Sequence, residues 1–155
     1  MNYTLVLFKP GGMGFKKQVL EMIDDTVQKN GLKIIHEAPV KLDLDQGRDL
    51  YREHKDAWYH TKLAEQVSSC PLYGVVIEGG EDLIPTIKTL VGATKPEEAD
   101  KDSIRGKFKV GKNYAECKAE GEVVDNICHT SGNFAEAKWE IGVAFPEFAK
   151  TIYEA

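Results

Sequence analysis

The run Tyr3-Thr4-Leu5-Val6-Leu7-Phe8 is apolar almost throughout and stops at Lys9-Pro10-Gly11-Gly12. So short a run, cut off by proline and glycine, reads as a buried strand broken by a sharp turn. The chain therefore starts a sheet with its first residues, and the later segments alternate between helical and extended patterns. Val19, Leu20, Ile23 and Val27 recur at helical spacing, with Asn30-Gly31 as a stop. Leu32 to Leu42 reads as a second strand, and Asp43 to about Ser69 carries helical residues in two pieces with Trp58-Tyr59 near the joint. Pro71 to Glu78 is a third strand ended by Gly79-Gly80, and a helix runs on from about Asp82 to Val91, with Pro85 acceptable in its first turn. Gly92 to Asp102 is a loop, and Lys107 to Glu122 is polar without clear periodicity. Val123 to Cys128 reads as the last strand, and Phe134, Ala137 and Ile141 mark a closing helix. This order matches a split βαβ: an α+β, ferredoxin-like βαββαβ sandwich with a four-stranded antiparallel sheet, helices on one face and a C-terminal helix. Such a fold names no function by itself.

Composition narrows the classes. The length of 155 residues suits one domain, 1–155, around a single sizeable core. No apolar run approaches the roughly 20 residues that span a bilayer, and Met1-Asn2-Tyr3 opens with no basic leader, so a cytoplasmic, membrane-free protein is expected. Cys70, Cys117 and Cys128 show neither an even count nor CxxC spacing, which argues against a disulfide framework or a zinc site. A net charge of −5 disfavours a general nucleic-acid binder, yet a local cluster of cations can still hold a small anion.

The segment Asn126-Ile127-Cys128-His129-Thr130-Ser131-Gly132-Asn133 puts a histidine at the end of an apolar strand, just before a helix. Asn133 and Glu136 have the spacing of a capping box. A helix start offers backbone donors to a phosphate. On spacing alone, a partly buried histidine bonded to a backbone carbonyl is the commoner case.

Thr4-Leu5-Val6-Leu7-Phe8-Lys9-Pro10-Gly11-Gly12, Ile104-Arg105-Gly106 and Asn126-Ile127-Cys128-His129-Thr130-Ser131 occur in the order found in nucleoside diphosphate kinases, which the chain resembles over roughly Tyr3 to Phe145. Cys70-Pro71, Glu78-Gly79 and Gly92-Ala93-Thr94-Lys95-Pro96 also match that family. The resemblance implies transfer of the terminal phosphate from a nucleoside triphosphate to a diphosphate, by a ping-pong route through phosphorylated His129. A neutral imidazole is a competent phosphoryl acceptor near its ordinary pKa of about 6.5. By the same resemblance Glu140 holds the ring, Ser131 orients that carboxylate and Tyr51 packs beside the histidine. Lys9, Thr94 and Arg105 match residues that hold phosphates, and the planar fork of arginine suits that task. Lys88 stands where the family commonly has arginine. Asn126 matches the residue that bonds the sugar hydroxyls, while Tyr59, Leu63 and Val123 match the walls of a base slot. A stacking slot accepts any base, because every base has a π-face.

The family also implies Mg2+, carried mainly by the nucleotide phosphates without a dedicated carboxylate cage. It implies a homo-oligomer built from dimers as well. Thr130 and Gly132 depart from the glycine and aspartate usual in the family motif, and the stretch from Arg105 to His129 is longer by roughly ten residues than in most members. That extra length is expected to bear on how dimers pack together, with a place over the nucleotide as the second reading. The competing functions are an inactive nucleotide-binding regulator on the same scaffold and a ferredoxin-like nucleic-acid binder. The joint presence of Lys9, Thr94, Arg105, Asn126, His129, Ser131 and Glu140 argues against the first, and the acidic balance against the second.

Overall fold

The computed structural model describes residues 1–154. In chain order the elements are β1 (Asn2–Phe8), α1 (Pro10–Met13), α2 (Lys16–Lys29), β2 (Lys33–Val40), α3 (Leu44–Leu50), α4 (His60–Ser68), β3 (Leu72–Gly79) and α5 (Leu83–Val91). The chain continues through α6 (Ile104–Lys107), α7 (Tyr114–Ala119), β4 (Cys128–Thr130), α8 (Phe134–Ala144) and α9 (Pro146–Tyr153). The strands form one antiparallel sheet in the order β2-β3-β1-β4, so each βαβ unit has a strand of the other unit inserted between its own two. This is the ferredoxin-like arrangement.

The opening run is apolar because β1 is buried on both faces: Leu5, Val6, Leu7 and Phe8 are all fully inaccessible. Val6 and Phe8 pack with Val19, Ile23 and Val27 of α2 and Leu83, Ile87 and Val91 of α5. The two crossover helices thus share one face, as expected. Leu5 and Leu7 pack on the other face with Leu50 of α3, Val67 of α4, Ala137 and Ile141 of α8 and Ala149 of α9. The expectation placed only a closing helix outside the single helical layer. The α3–α4 pair adds to it, and the second layer it completes packs on the face of the sheet that bears Leu5 and Leu7. Among the described residues no helix is long and apolar enough to cross a membrane.

The first three strands lie within two residues of their expected bounds, and the fourth differs more. The segment Val123 to Cys128, read as the last strand, is expected to be extended and paired, but β4 begins only at Cys128 and runs to Thr130. Its partner is β1, which has no residues beyond Phe8 to offer: Phe8 pairs with Cys128, and the chain then turns at Lys9-Pro10. Ile127 instead takes a left-handed conformation, φ +76°, which costs a β-branched residue on the order of 1–3 kcal/mol. Two bonds hold it there: Lys9 N–H donates to the Ile127 carbonyl at 2.8 Å, and Ile127 N–H donates to Asp125 Oδ1 at 3.0 Å. Gly12 crosses this bend so closely that a side-chain carbon would overlap the Ile127 carbonyl oxygen. The Gly-Gly turn therefore lets the first turn of the chain press directly on the backbone that precedes His129. The polar stretch without periodicity contains a helix after all, α7, closed at its start by a reciprocal capping box between Asn113 and Glu116.

Candidate active site

His129 occupies the middle of β4, opposite Leu7 of β1, and so faces the α8 side of the sheet. Ala137 and Ile141 press α8 onto that face, and Glu140, three residues from the first and next to the second, is carried inside with them. It is fully buried. A carboxylate in that position is costly unless its oxygens find donors. The Ser131 hydroxyl donates to Glu140 Oε1 at 2.7 Å and accepts from Leu5 N–H at 3.3 Å, so the sheet backbone fixes the serine and the serine fixes the carboxylate. His129 Nε2 lies 3.0 Å from the same Oε1. The approach is in contact range but off the line of a formed N–H···O bond, and Nε2 and Glu140 Oε2 have no other partner. With Nε2 buried against the carboxylate, the ring meets the cavity through Nδ1. Tyr51 sets its ring edge-on to the histidine, 5.3 Å between centroids at 80°. Its hydroxyl is held well above the ordinary phenol range by burial first and the Glu140 carboxylate second, so it stays a neutral donor.

In front of His129 opens a cavity of about 520 Å3. Of the residues expected there, Lys9, Lys88, Thr94, Arg105 and Asn126 supply its polar wall, and Tyr51, Tyr59, Leu63 and Val123 its apolar one. Ser131 and Glu140 stand behind the histidine. The structure thus brings together all twelve residues singled out from the sequence, ten on the cavity wall and two supporting it.

Arg105 proves to be more than a free cation. Its Nε donates to the Asn126 carbonyl at 3.2 Å, one terminal nitrogen to the Gly92 carbonyl at 3.0 Å and the other to the Cys128 carbonyl at 2.8 Å. One guanidinium thus ties the loop after α5 to both ends of the bend before His129, and two of its five N–H donors remain for a ligand. Asn126 donates from Nδ2 to the Thr94 carbonyl at 2.9 Å, leaving Oδ1 buried without a partner and available to accept from a hydroxyl. Lys9 is 4% exposed. Burial, then the nearby Arg105, lower its pKa to about 8. Lys9 and Arg105 are two desolvated cations side by side, neither in a direct ion pair among the described residues, and such a site calls for an anion. On the opposite wall Tyr59 Oη and His54 Nδ1 are 3.0 Å apart, which pins the ring.

Several lining residues carry no signal in the sequence motifs. Glu53 and Glu136 reach the cavity edge, and their carboxylate oxygens, with one of Glu140, lie within 4.8 Å of one another. The spacing of Glu136 suggests half of a capping box. Asn133 does accept from Glu136 N–H, at 2.8 Å, but the glutamate reaches past the cap to accept from Gly132 N–H at 3.1 Å. It occupies the space a side chain at Gly132 would need, so this departure from the family motif is filled by a carboxylate from α8. Tyr114 and Lys118 of α7, with Glu122, also line the cavity. Nothing in the polar pattern of that stretch signals which side of it faces inward.

The family model described as nucleoside diphosphate kinase matches residues 2–149. Among curated relatives, nucleoside diphosphate kinase of Sulfurisphaera tokodaii is 34% identical over 144 residues, 93% of this chain and 88% of that one. Its counterpart in Saccharolobus solfataricus is 32% identical over 142 residues, covering 92% and 93%. Among solved structures, a transition-state mimic of the Borrelia burgdorferi nucleoside-diphosphate kinase, with bound vanadate and ADP, superposes with a TM-score of 0.79 at 26% identity, over 92% of this chain and 86% of that one.

Proposed function

The chain belongs to the nucleoside diphosphate kinase family and is a phosphotransferase between nucleoside tri- and diphosphates, and from that premise we propose that His129 carries the phosphate through Nδ1. The observation that supports this most is the buried Ser131–Glu140 pair behind the ring. It favours the tautomer with the proton on Nε2 and leaves the lone pair on Nδ1. Nδ1 attacks the γ-phosphorus, the bond from phosphorus to the bridging oxygen breaks, and the nucleoside diphosphate leaves with that electron pair. The imidazolium formed keeps its Nε2 proton beside the Glu140 carboxylate, which offsets the charge. A terminal oxygen of a second nucleoside diphosphate then attacks the same phosphorus and restores neutral His129.

Lys9, Lys88, Arg105 and Thr94 would hold the phosphate chain, Asn126 Oδ1 a sugar hydroxyl, and Tyr59, Leu63 and Val123 the base. Such a reaction asks for positioning and charge stabilisation above all. Mg2+ is proposed as the ion that arrives with the nucleotide and neutralises its phosphates. With Glu140 committed to Ser131 and His129, Glu53 and Glu136 are the oxygen donors left to face it. Two carboxylates fit an ion held chiefly by phosphates and water. A homo-oligomer of dimers working in the cytoplasm completes the proposal.

Incubation with γ-labelled ATP tests it. The wild-type protein should take up one acid-labile, alkali-stable phosphate and lose it on addition of ADP, and His129→Ala should take up none. Label and turnover retained in that variant would refute the assignment.

A further inference from the structure

The stretch between Arg105 and Asn126 crosses the mouth of the cavity as a strap anchored on both sides. On the Thr94 side, the Glu97 carboxylate accepts from Tyr114 N–H at 3.1 Å and from Ala115 N–H at 3.4 Å, and Lys95 Nζ sits 4.7 Å from the centre of the Tyr114 ring. On the Tyr59 side, Lys62 pairs with Glu122 at 3.2 Å and Gln66 Nε2 donates to the Val124 carbonyl at 3.1 Å. Between these anchors runs α7, whose Cys117 is buried and whose Tyr114 and Lys118, one helical turn apart, line the cavity.

Lys118 is exposed and, among the described residues, is the strap's one lysine on the cavity wall. Two other cations at the strap are paired, Lys112 with Glu120 and Lys62 with Glu122. Glu122, four residues beyond Lys118 and the nearest acidic neighbour at that spacing, is taken by Lys62. Among the described residues Lys118 makes no ion pair, although it lines the same cavity as Lys9, Lys88 and Arg105. Of the glutamates on the same wall, Glu122 is held by Lys62 and Glu136 accepts from Gly132 N–H, so an anion entering beside Lys9, Lys88 and Arg105 would give Lys118 a partner.

We propose that Lys118 is a phosphate-contacting residue, placed by α7 against the phosphate chain of the bound nucleotide from the side opposite Arg105. The inference rests on the reading of the cavity as a site for nucleoside di- and triphosphates. It assigns to the longer Arg105–His129 stretch a part in substrate binding on its own subunit.

Calorimetric titration of ADP and of adenosine into the wild-type protein, Lys118→Ala and Lys118→Arg tests it, with thermal transitions confirming that all three are folded. Lys118→Ala should raise the Kd for ADP roughly tenfold, the weight of one charge-assisted hydrogen bond. It should leave adenosine binding unchanged, and Lys118→Arg should bind ADP like the wild type. An ADP Kd unmoved in Lys118→Ala, with normal wild-type binding, would overturn this inference alone. So would equal losses for ADP and adenosine, which mark a packing role. A wild-type protein that does not bind ADP would overturn the nucleotide reading and this inference together.

Discussion

The histidine and the strap face each other across one cavity and are held by different physics. Behind His129 everything is dry: Glu140 and Ser131 are fully inaccessible, and their bonds run through to the backbone of β1, the most deeply buried strand. The strap is held by groups in water, with the side chains of Lys62 and Glu122 40% and 55% exposed. Exposed ion pairs contribute at most about 1 kcal/mol each, whereas removing one partner from a buried polar set strands the others at about 1–3 kcal/mol apiece. The histidine side of the cavity is therefore rigid and intolerant. The strap side is adjustable, so under the proposed function nucleotide affinity should be alterable there without disturbing phosphoryl transfer.

That contrast is broken most forcefully at Arg105, which belongs to the rigid side yet faces the ligand. Arg105→Ala removes three charged hydrogen bonds to backbone carbonyls and should lower unfolding free energy by at least about 3 kcal/mol in urea titrations, with weaker phosphate binding besides. A variant of unchanged stability would show that the guanidinium serves the ligand only. Next is Glu140→Gln, which keeps the shape of the buried set and removes its charge. It should lower kcat by about 100-fold or more while the KM for nucleotide changes little, because the carboxylate orients the ring and touches no substrate. A loss confined to KM would move Glu140 out of the histidine's support and into the binding wall.

Lys9 gives a graded effect with two opposite signs. Its pKa is lowered to about 8 in the folded protein from 10.5, so between those values the unfolded chain holds more protons and stability should rise with pH. Below about pH 8 the buried charge is carried in both states and the destabilisation is present in full. Binding runs the other way, since the cation is lost as pH rises through about 8 and the Kd for ADP should climb there. Lys9→Gln should flatten both profiles, and a wild-type Kd independent of pH across that range would remove Lys9 from the phosphate site. The smallest effect belongs to the strap. Glu97→Gln loosens one exposed anchor and should lower stability only slightly while raising nucleotide KM slightly at constant kcat. A fall in kcat would show that the strap reaches the reacting atoms.

Legibility in the sequence divides along the same line. Apolar runs and turn residues locate β1, β3 and α5 to within a residue or two, and a helical stripe marks α2, because burial on both faces leaves a continuous apolar run and half-exposed helices leave a stripe. The motif around His129 carries the ring, Ser131 and Glu140 together, since all three lie on elements of fixed register. The start of β4 is misplaced by its sequence because Val124 and Ile127 are buried in the bend before the strand and pair with nothing in the sheet. Glu136 looks like a cap partner, and only the missing side chain at Gly132 lets it fold back to the backbone. For α7 the polar pattern gives no period, as six helical residues held by capping and surface charge need no apolar stripe.

If Glu140 commits Nε2 of His129, Nδ1 alone is left for the phosphate. Phosphorus NMR of the protein phosphorylated by ATP, kept alkaline and compared with authentic phosphohistidine isomers, reads that choice directly. A single phosphohistidine is expected, carrying the group on Nδ1 and discharged by ADP. Phosphate on Nε2, or on any side chain other than His129, would contradict it.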